Sequence, residues 1–221
     1  GTMDPEEFMK RVKAWQRLLV DEGWAGITWP KAYGGRGGTS LQSSIFTQES
    51  SRFGVATTTF AVGIGMAGPT IMRHGTEEQK ERYLRPMLRG DEVWCQLFSE
   101  PDAGSDLANI STRAVRDGDE WVVSGQKVWT SGADESDWGI LLARTDPDVP
   151  KHKGITYFLV DMRSPGFDVR PLKQMTGSEH FSEVFIDEVR IPHENVLGEV
   201  NGGWACTLTT LANERGLIAG A

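Results

Sequence analysis

Cysteine and long hydrophobic runs are scarce in this sequence. Its 221 residues include two cysteines, Cys95 and Cys206, and neither belongs to a Cys-x-x-Cys or Cys/His spacing. A disulfide framework and a zinc site are therefore not indicated, and a reducing, intracellular compartment is expected. No stretch approaches the roughly 18 apolar residues of a membrane-spanning helix, and the acidic start lacks the cationic segment of a signal peptide. We expect a cytoplasmic protein.

Basic residues are also in short supply. The chain has 23 lysines and arginines against 31 aspartates and glutamates, which gives a formal net charge of -8. Negative charge repels phosphate backbones and anionic lipids, so nucleic acids and membranes are not expected as partners. The 4 histidines are isolated and form no H-E-x-x-H pattern, so no metal site is predicted.

Common catalytic signatures are missing as well. The glycine-rich run at 34–38 follows no predicted strand, and it has neither the ending of a P-loop nor the register of a dinucleotide-binding turn. A Gly-x-Ser-x-Gly nucleophile elbow is also missing. These signatures therefore support neither a nucleotide-binding loop nor a serine hydrolase.

The hydrophobic pattern predicts helices in the first part of the chain. Apolar residues recur at helical spacing over 6–22, and further helices are expected over 41–53 and 59–74. A capping box and a terminal glycine predict a fourth helix over 76–90. Residues 28–38 contain too many glycines for a regular element and predict a long surface loop.

The pattern changes after residue 91, where short β-branched and aromatic runs alternate with turn residues. These runs lie at 122–123, 128–129, 140–142, 155–160 and 184–186. This alternation predicts an antiparallel β domain. The predicted fold class is α+β, with an α-helical N-terminal domain (1–93), an antiparallel β-barrel-like domain (94–200) and the truncated start of a helical bundle (201–221). Residues 1–3, or 1–9 at most, are interpreted as the remnant of an expression tag.

Two segments combine small, polar and aromatic residues in a way that neither a core strand nor a solvated turn requires. In residues 94–106, Gly104 lets backbone amides approach an anion and Ser105 adds a hydroxyl. In residues 125–132, Trp129 stands beside two hydroxyls. Together they suit an aromatic heterocycle that carries phosphates. The alternative is structural, with Trp129 in a barrel core, Ser105 as a helix N-cap and Gly104 as a turn glycine.

The residues of these segments and their order along the chain resemble the acyl-CoA dehydrogenase family of flavoproteins. The resemblance implies FAD as cofactor, a helical N-terminal domain, a β-barrel-like middle domain and a C-terminal helical bundle. Asp102 and Gln96 depart from the family pattern, which usually has glycine and often an aromatic residue at these places. The matching runs are Gly23–Pro30, Tyr33–Gly35, His74–Lys80, Ser99–Asp106, Gly125–Ser131 and Gly198–Trp204.

The resemblance also implies roles for individual residues. The first segment would lie along the flavin and the pyrophosphate of FAD, and Ser105 would also meet the pantetheine of the substrate. The second segment would contact the isoalloxazine ring, with Trp129 covering the ring face away from the acyl chain. The residues implied as cofactor contacts are Gln96, Leu97, Phe98, Ser99, Gly104, Ser105, Trp129, Thr130 and Ser131.

The implied reaction is the α,β-dehydrogenation of an acyl-CoA thioester to the enoyl-CoA. No side chain accepts hydride, so the flavin must do so, and a carboxylate must take the α-proton. Some family members supply that base from the first helix of the C-terminal bundle, in a segment that Leu211–Ile218 matches. Glu214 is therefore the candidate base. Others supply it further along, in which case Glu214 and Arg215 form an ordinary charged helix face.

The partners implied are an acyl-CoA substrate and an electron-transferring flavoprotein, within a homo- or heterotetrameric full-length protein. Three alternatives stay open. They are an oxidase that uses oxygen, a non-catalytic flavin-binding or scaffold subunit completed by a homologous partner, and a β-domain interaction module. The chain length, branching or steroid character of the acyl group is not predicted.

Overall fold

A computed structural model of the chain describes residues 4–53 and 58–219, with side chains as far as residue 216. Residues 1–3, interpreted above as a tag remnant, lie outside this range. Within it, no helix is long and apolar enough to cross a bilayer. The helices are α1 (Pro5–Asp21), α2 (Ser40–Ser50), α3 (Gly68–His74), α4 (Glu77–Arg89) and α5 (Gly203–Ala219). The strands are β1 (Trp94–Leu97), β2 (Arg113–Asp117), β3 (Glu120–Ser131), β4 (Trp138–Arg144), β5 (Ile155–Asp161), β6 (Phe167–Leu172), β7 (Phe181–Pro192) and β8 (Val196–Leu197).

Local signals set the ends of α4. The amide of Gln79 donates to the hydroxyl of Thr76 at 3.2 Å, and the amide of Thr76 donates to the side-chain oxygen of Gln79 at 3.1 Å. This is the predicted capping box. The helix ends at Gly90, whose φ of 70° is left-handed, as a C-terminal glycine allows. Both predicted ends of this helix are confirmed.

The helix predicted over 59–74 is interrupted by a π-helical turn at Gly63–Ala67. Within this turn the carbonyl oxygen of Ile64 accepts a hydrogen bond from the indole N–H of Trp29 at 3.1 Å. A Cβ on Gly68 would lie within 2.6 Å of two atoms of the Trp29 ring, so only glycine fits there. Trp29 is 3% exposed. The loop over 28–38 is therefore not a surface loop throughout, because this tryptophan anchors its start in the core.

The eight strands form one sheet in the order β6-β7-β3-β2-β4-β5-β8, with β1 paired to β4. Most neighbours are antiparallel, which confirms the predicted class. However, β1 runs parallel to β4, and β2 meets β4 in one parallel pair, Arg113 with Arg144. Strands β2 and β6 were not among the predicted runs, because both carry several polar residues and expose part of their length.

Strand β3 joins two runs, 122–123 and 128–129, that the pattern predicts as separate strands. The glycine between them, Gly125, lies at a β-bulge and not in a turn, since the pairing with β7 shifts register between Val123 and Gly125. A Cβ on Gly125 would lie 2.7 Å from the Cα of Thr112. The glycine thus marks a close approach of two backbones, and β3 continues beyond it.

The middle of the sheet is buried on both faces. In β5, Tyr157 and Leu159 pack toward the helices, while Phe158 and Val160 pack on the opposite face. Strands covered on both sides are mostly apolar, which accounts for the run at 155–160, where Thr156 is the one polar residue. The core on the helix side contains residues from α3, α4, α5 and the strands. The helical part and the sheet therefore share one core.

Candidate functional site

A cleft of about 230 Å³ opens where the helices meet the edge of the sheet. The end of β1, the end of β3, the start of β7, the π-helical turn and α5 all contribute to it. Six of the ten lining residues are predicted site residues. The lining residues are Val62, Met66, Gln96, Phe98, Ser99, Val128, Trp129, Ser131, Phe181 and Glu214.

Strand β1 and the residue that follows it line one side of the cleft. Gln96 and Phe98 line it, whereas Leu97 between them is fully buried in the core on the other face of the sheet. Successive side chains of a strand point to opposite faces, so Leu97 can offer only its backbone to a ligand. The amide of Val128 donates to the carbonyl oxygen of Ser99 at 2.9 Å. This bond brings β3 against the end of β1.

Trp129 is held away from the core. It is 61% exposed, its φ is 60°, and its ring makes an edge contact with Phe181 at 6.0 Å. A positive φ is uncommon for a bulky residue and is tolerated where the surroundings impose it. Here the register between β3 and β7 shifts at this point. The alternative that Trp129 is a barrel-core residue is therefore wrong, because the indole presents a flat face to the cleft.

The two hydroxyl-bearing residues after Trp129 differ in position, because one lines the cleft and the other is buried. Ser131 is exposed and lines the cleft, but Thr130 is 1% exposed and does not. The hydroxyl of Thr130 has no hydrogen-bond partner among the described residues, which is rare for a buried polar atom. The structure thus brings Trp129 and Ser131 to the site and leaves the Thr130 side chain behind the strand.

The loop after β1 carries Gly104 and Ser105, and neither lines the cleft. Ser105 is exposed, and the short 3-10 helix that follows is preceded by Asp106, so Ser105 is not its N-cap. A Cβ on Gly104 would meet nothing within 4 Å, and its φ is not left-handed. Neither packing nor backbone strain therefore explains this glycine. The open space beside it is what close approach of a bulky anion needs.

A buried ion pair that the sequence analysis did not predict lies beneath the site. The Lys127 ammonium donates to the Glu100 carboxylate at 2.8 Å and to the carbonyl oxygen of Phe98 at 3.1 Å. The same carboxylate accepts from the amides of Ser111 at 2.6 Å and Thr112 at 3.0 Å. This cluster fixes the end of β1, the loop and β3 together. Both charged residues stand in the two quoted segments, but only the fold shows that they meet.

The charges of this pair are set by burial and contact. Burial alone would raise the pKa of Glu100, but the Lys127 ammonium and the hydrogen bonds from Thr112 and Ser111 outweigh it and hold that pKa at about 2. Burial lowers the pKa of Lys127 to about 8, against the opposing effect of Glu100. At neutral pH both groups are charged, and each charge offsets most of the free-energy cost of burying the other.

Glu214 lies on α5 and lines the cleft together with Trp129, although 85 residues separate them in sequence. It is half-buried, while its neighbour Arg215 is exposed. The two charged residues therefore face different surroundings. Val62 and Met66 add apolar side chains to the lining of the same cleft. Among the described residues, no cluster of three or more His, Cys, Asp and Glu side chains could hold a metal ion.

The chain matches two family models. One is described as "Acyl-CoA dehydrogenase, N-terminal domain" and matches residues 2–91, and the other as "Acyl-CoA dehydrogenase, middle domain" and matches residues 95–189. FadE34, an acyl-CoA dehydrogenase of Mycobacterium tuberculosis, is 52% identical over 92% of this chain.

Solved structures agree with these matches. The Tcur3481-Tcur3483 steroid ACAD has a TM-score of 0.84 and 42% identity over 93% of this chain. The ChsE4-ChsE5 complex from Mycobacterium tuberculosis has a TM-score of 0.79 and 35% identity over 96% of this chain. The arrangement of a helical part against an antiparallel-rich sheet is thus that of the acyl-CoA dehydrogenase class of folds. The chain belongs to the acyl-CoA dehydrogenase family.

The chain is shorter than the proteins that it matches. It spans 28% of FadE34, 53% of the matched steroid ACAD chain and 61% of the matched chain of the ChsE4-ChsE5 complex.

Proposed function

We propose that this chain holds FAD and takes part in the α,β-dehydrogenation of an acyl-CoA thioester to the enoyl-CoA. The observation that carries the proposal is the cleft itself. It combines the exposed face of Trp129, the hydroxyl of Ser131 and the carboxylate of Glu214. An aromatic surface, a hydrogen-bonding group and a base in one cleft suit oxidation of a carbon-carbon bond beside a carbonyl.

The residues present fit the cofactor. Trp129 would cover one face of the isoalloxazine ring, and Ser131 with the backbone of residues 96–99 would bind its polar edge. Gly104 and Ser105 would receive the pyrophosphate, where open space lies beside the glycine. The carboxylate of Asp106 is neutralised by Lys151 at 2.6 Å, which reduces its repulsion of a phosphate. Bound FAD would supply the hydride acceptor.

The chain's own part in the chemistry is proton removal. We assign the α-proton to the Glu214 carboxylate, which lines the cleft together with Met66 and Val62. An acyl group that enters this cleft displaces water from around the carboxylate. Exclusion of water from the cleft also protects the proton transfer from competing solvent.

The relatives support a proposal for the substrate class and the partners. The similarity to a steroid ACAD favours an acyl-CoA with a steroid group, and the ChsE4-ChsE5 complex favours assembly with a second, homologous chain. An electron-transferring flavoprotein is the proposed electron acceptor. An oxidase would pass the same electrons to oxygen, and hydrogen peroxide formed during aerobic turnover would identify it.

Flavin binding and Glu214→Gln test the proposal together. We expect a flavin absorbance spectrum, or saturable thermal stabilisation on addition of FAD. In the FAD-loaded full-length protein, Glu214→Gln should reduce dehydrogenation of an acyl-CoA by at least about a hundredfold, since general-base removal typically costs that much. Glu81→Gln, at an exposed glutamate of α4, is the matched control. A chain that binds no FAD would contradict the proposed cofactor. A Glu214→Gln variant with full activity would contradict the assignment of Glu214 as the base.

A further inference from the structure

Three buried hydroxyl groups form a hydrogen-bonded chain behind the cleft. The Oγ1 of Thr210 lies 2.9 Å from the Oγ1 of Thr70 and 2.9 Å from the phenol oxygen of Tyr157. All three residues are 0% exposed. They come from α5, α3 and β5, so one small cluster joins the last helix, the helical part and the centre of the sheet.

The hydroxyl protons can be distributed without conflict. One consistent arrangement has Tyr157 donating to Thr210, Thr210 donating to Thr70, and Thr70 donating to the carbonyl oxygen of Met66 at 2.8 Å. The Thr210 hydroxyl also lies 3.1 Å from the carbonyl oxygen of Cys206, one turn earlier on α5. Burial raises the pKa of Tyr157, so the phenol stays a neutral donor. Each buried hydroxyl thus has a partner, which removes the cost of burying it.

The middle member of this chain of hydroxyls, Thr210, and the acceptor at one end, Met66, both connect to the site. Thr210 precedes Glu214 by four residues on α5, which is about one turn and about 6 Å along the helix. Met66 belongs to the π-helical turn and lines the cleft with Glu214. Apolar packing alone is non-directional and would allow α5 to rotate or slide slightly. Hydrogen bonds to β5 and α3 are directional and specify the rotation of α5 at this level.

We propose that Tyr157, Thr210 and Thr70 are positioning residues, which fix α5 so that the Glu214 carboxylate stays at the cleft wall formed by Met66. The inference rests on the proposed function, because it gives Glu214 the role of base. The three hydroxyls touch neither substrate nor cofactor. Their effect is on the distance and angle at which Glu214 meets the α-proton, to which proton transfer is sensitive.

The test compares Thr210→Val with Thr210→Ser in the FAD-loaded full-length protein. Valine removes the hydroxyl at nearly constant volume, and serine keeps it. We expect Thr210→Val to lower kcat by about ten- to a hundredfold with KM changed less than about twofold, and to shift the pH profile of kcat. Thr210→Ser should restore most of kcat. Thr207→Val is the matched control, because Thr207 is equally buried on α5 but its hydroxyl donates only to Gly203 within the helix, at 2.8 Å.

A second readout does not depend on activity. Hydrogen-deuterium exchange of the α5 amides over residues 207–214 should be faster in Thr210→Val than in the unchanged protein or in Thr207→Val. If Thr210→Val does not fold, Tyr157→Phe removes one hydroxyl at the sheet end and should give the same direction of change in kcat and exchange. Unchanged kcat, pH profile and exchange in whichever variant folds would overturn the inference.

The outcomes separate this inference from the proposed function. If Glu214→Gln abolishes turnover while Thr210→Val leaves kcat and its pH profile unchanged, the base assignment stands and the positioning role fails. If Glu214→Gln keeps full activity, the base assignment fails, and with it the positioning role.

Discussion

Trp129 is the residue in which local sequence and local structure disagree most. An exposed tryptophan with a left-handed backbone is expensive in a strand, because the apolar surface stays in water and the backbone is strained. The register shift between β3 and β7 accommodates this backbone but does not bury the indole. The exposure and the strained backbone of Trp129 are explained if a flat ligand stacks on its indole ring.

Trp129→Ala should therefore weaken FAD binding without destabilising the protein. Loss of one aromatic stacking surface costs about 1–3 kcal/mol, which is a decrease of about five- to 150-fold in affinity. The measurement is an FAD titration followed by flavin fluorescence, with thermal unfolding of the FAD-free chain recorded for each variant. Phe53→Ala, at an aromatic residue that is 78% exposed and outside the cleft, should leave affinity unchanged. Equal affinities for Trp129→Ala and Phe53→Ala would contradict the stacking role.

Glu214 differs from Trp129, because its local sequence and local structure are both ordinary for a helix. Its sequence neighbourhood is that of any charged helix pair, and only the resemblance to a family points to it as a base. The fold adds what the pattern cannot, namely that Glu214 and not Arg215 borders the cleft. Its catalytic role stays a prediction.

At the scale of elements, β3 decides the shape of the site. The bulge at Gly125 and the second register shift before Thr130 turn the end of this strand toward β1 and α5. Local signals predict two strands here, because a Ser-Gly pair between apolar runs is also typical of a turn. Only the closeness of Thr112 explains why the residue is glycine.

Gly125→Val should destabilise the protein by about 1–3 kcal/mol or more, as forced overpacking does, because its Cβ would lie 2.7 Å from the Cα of Thr112. Gly104→Ala is the paired control, since its Cβ would meet nothing within 4 Å. That variant should leave the unfolding temperature of the FAD-free chain unchanged and still weaken FAD binding, if phosphates approach the Gly104 backbone. The measurements are thermal unfolding and FAD titration. A stable Gly125→Val variant would show that the two backbones can separate at little cost.

At the scale of the whole molecule, the Glu100–Lys127 pair links the stability of the fold to pH. The pKa of Glu100 is held at about 2, below its usual value of 4.5. A carboxyl whose pKa is lower in the folded state stabilises the fold above its unfolded pKa, and this stability is lost as pH falls. Lys127 stays protonated throughout this acid range, since its lowered pKa of about 8 lies far above it.

The free energy of unfolding of the FAD-free chain should therefore fall between pH values of about 4.5 and about 2, by up to roughly 3 kcal/mol from this group. Glu100→Gln should be less stable at neutral pH and should lose this part of the pH dependence. Asp106→Asn, which removes the exposed ion pair with Lys151, should keep it. Urea unfolding at a series of pH values measures all three. Parallel pH dependences in the unchanged chain and Glu100→Gln would contradict the role of the pair.

Local chemistry in the sequence by itself determined the helical first part, the strand-rich second part and several element ends. Capping at Thr76 and Gly90 acts within one helical turn, and strand patterns act within a few residues, so both can be recognised without the fold. The two segments that surround the site were identifiable for the same reason, because their small, hydroxyl and aromatic residues are consecutive.

Only the tertiary structure decided which distant groups meet. Lys127 and Glu100 are 27 residues apart, and Thr70 and Thr210 are 140 residues apart. The face of the sheet on which a side chain lies also depends on distant parts of the chain. Leu97 and Thr130 do not line the cleft, whereas Trp129 does. Contacts of this kind depend on sheet order, register and helix packing. These are properties of the folded chain as a whole, and no short stretch of sequence specifies them.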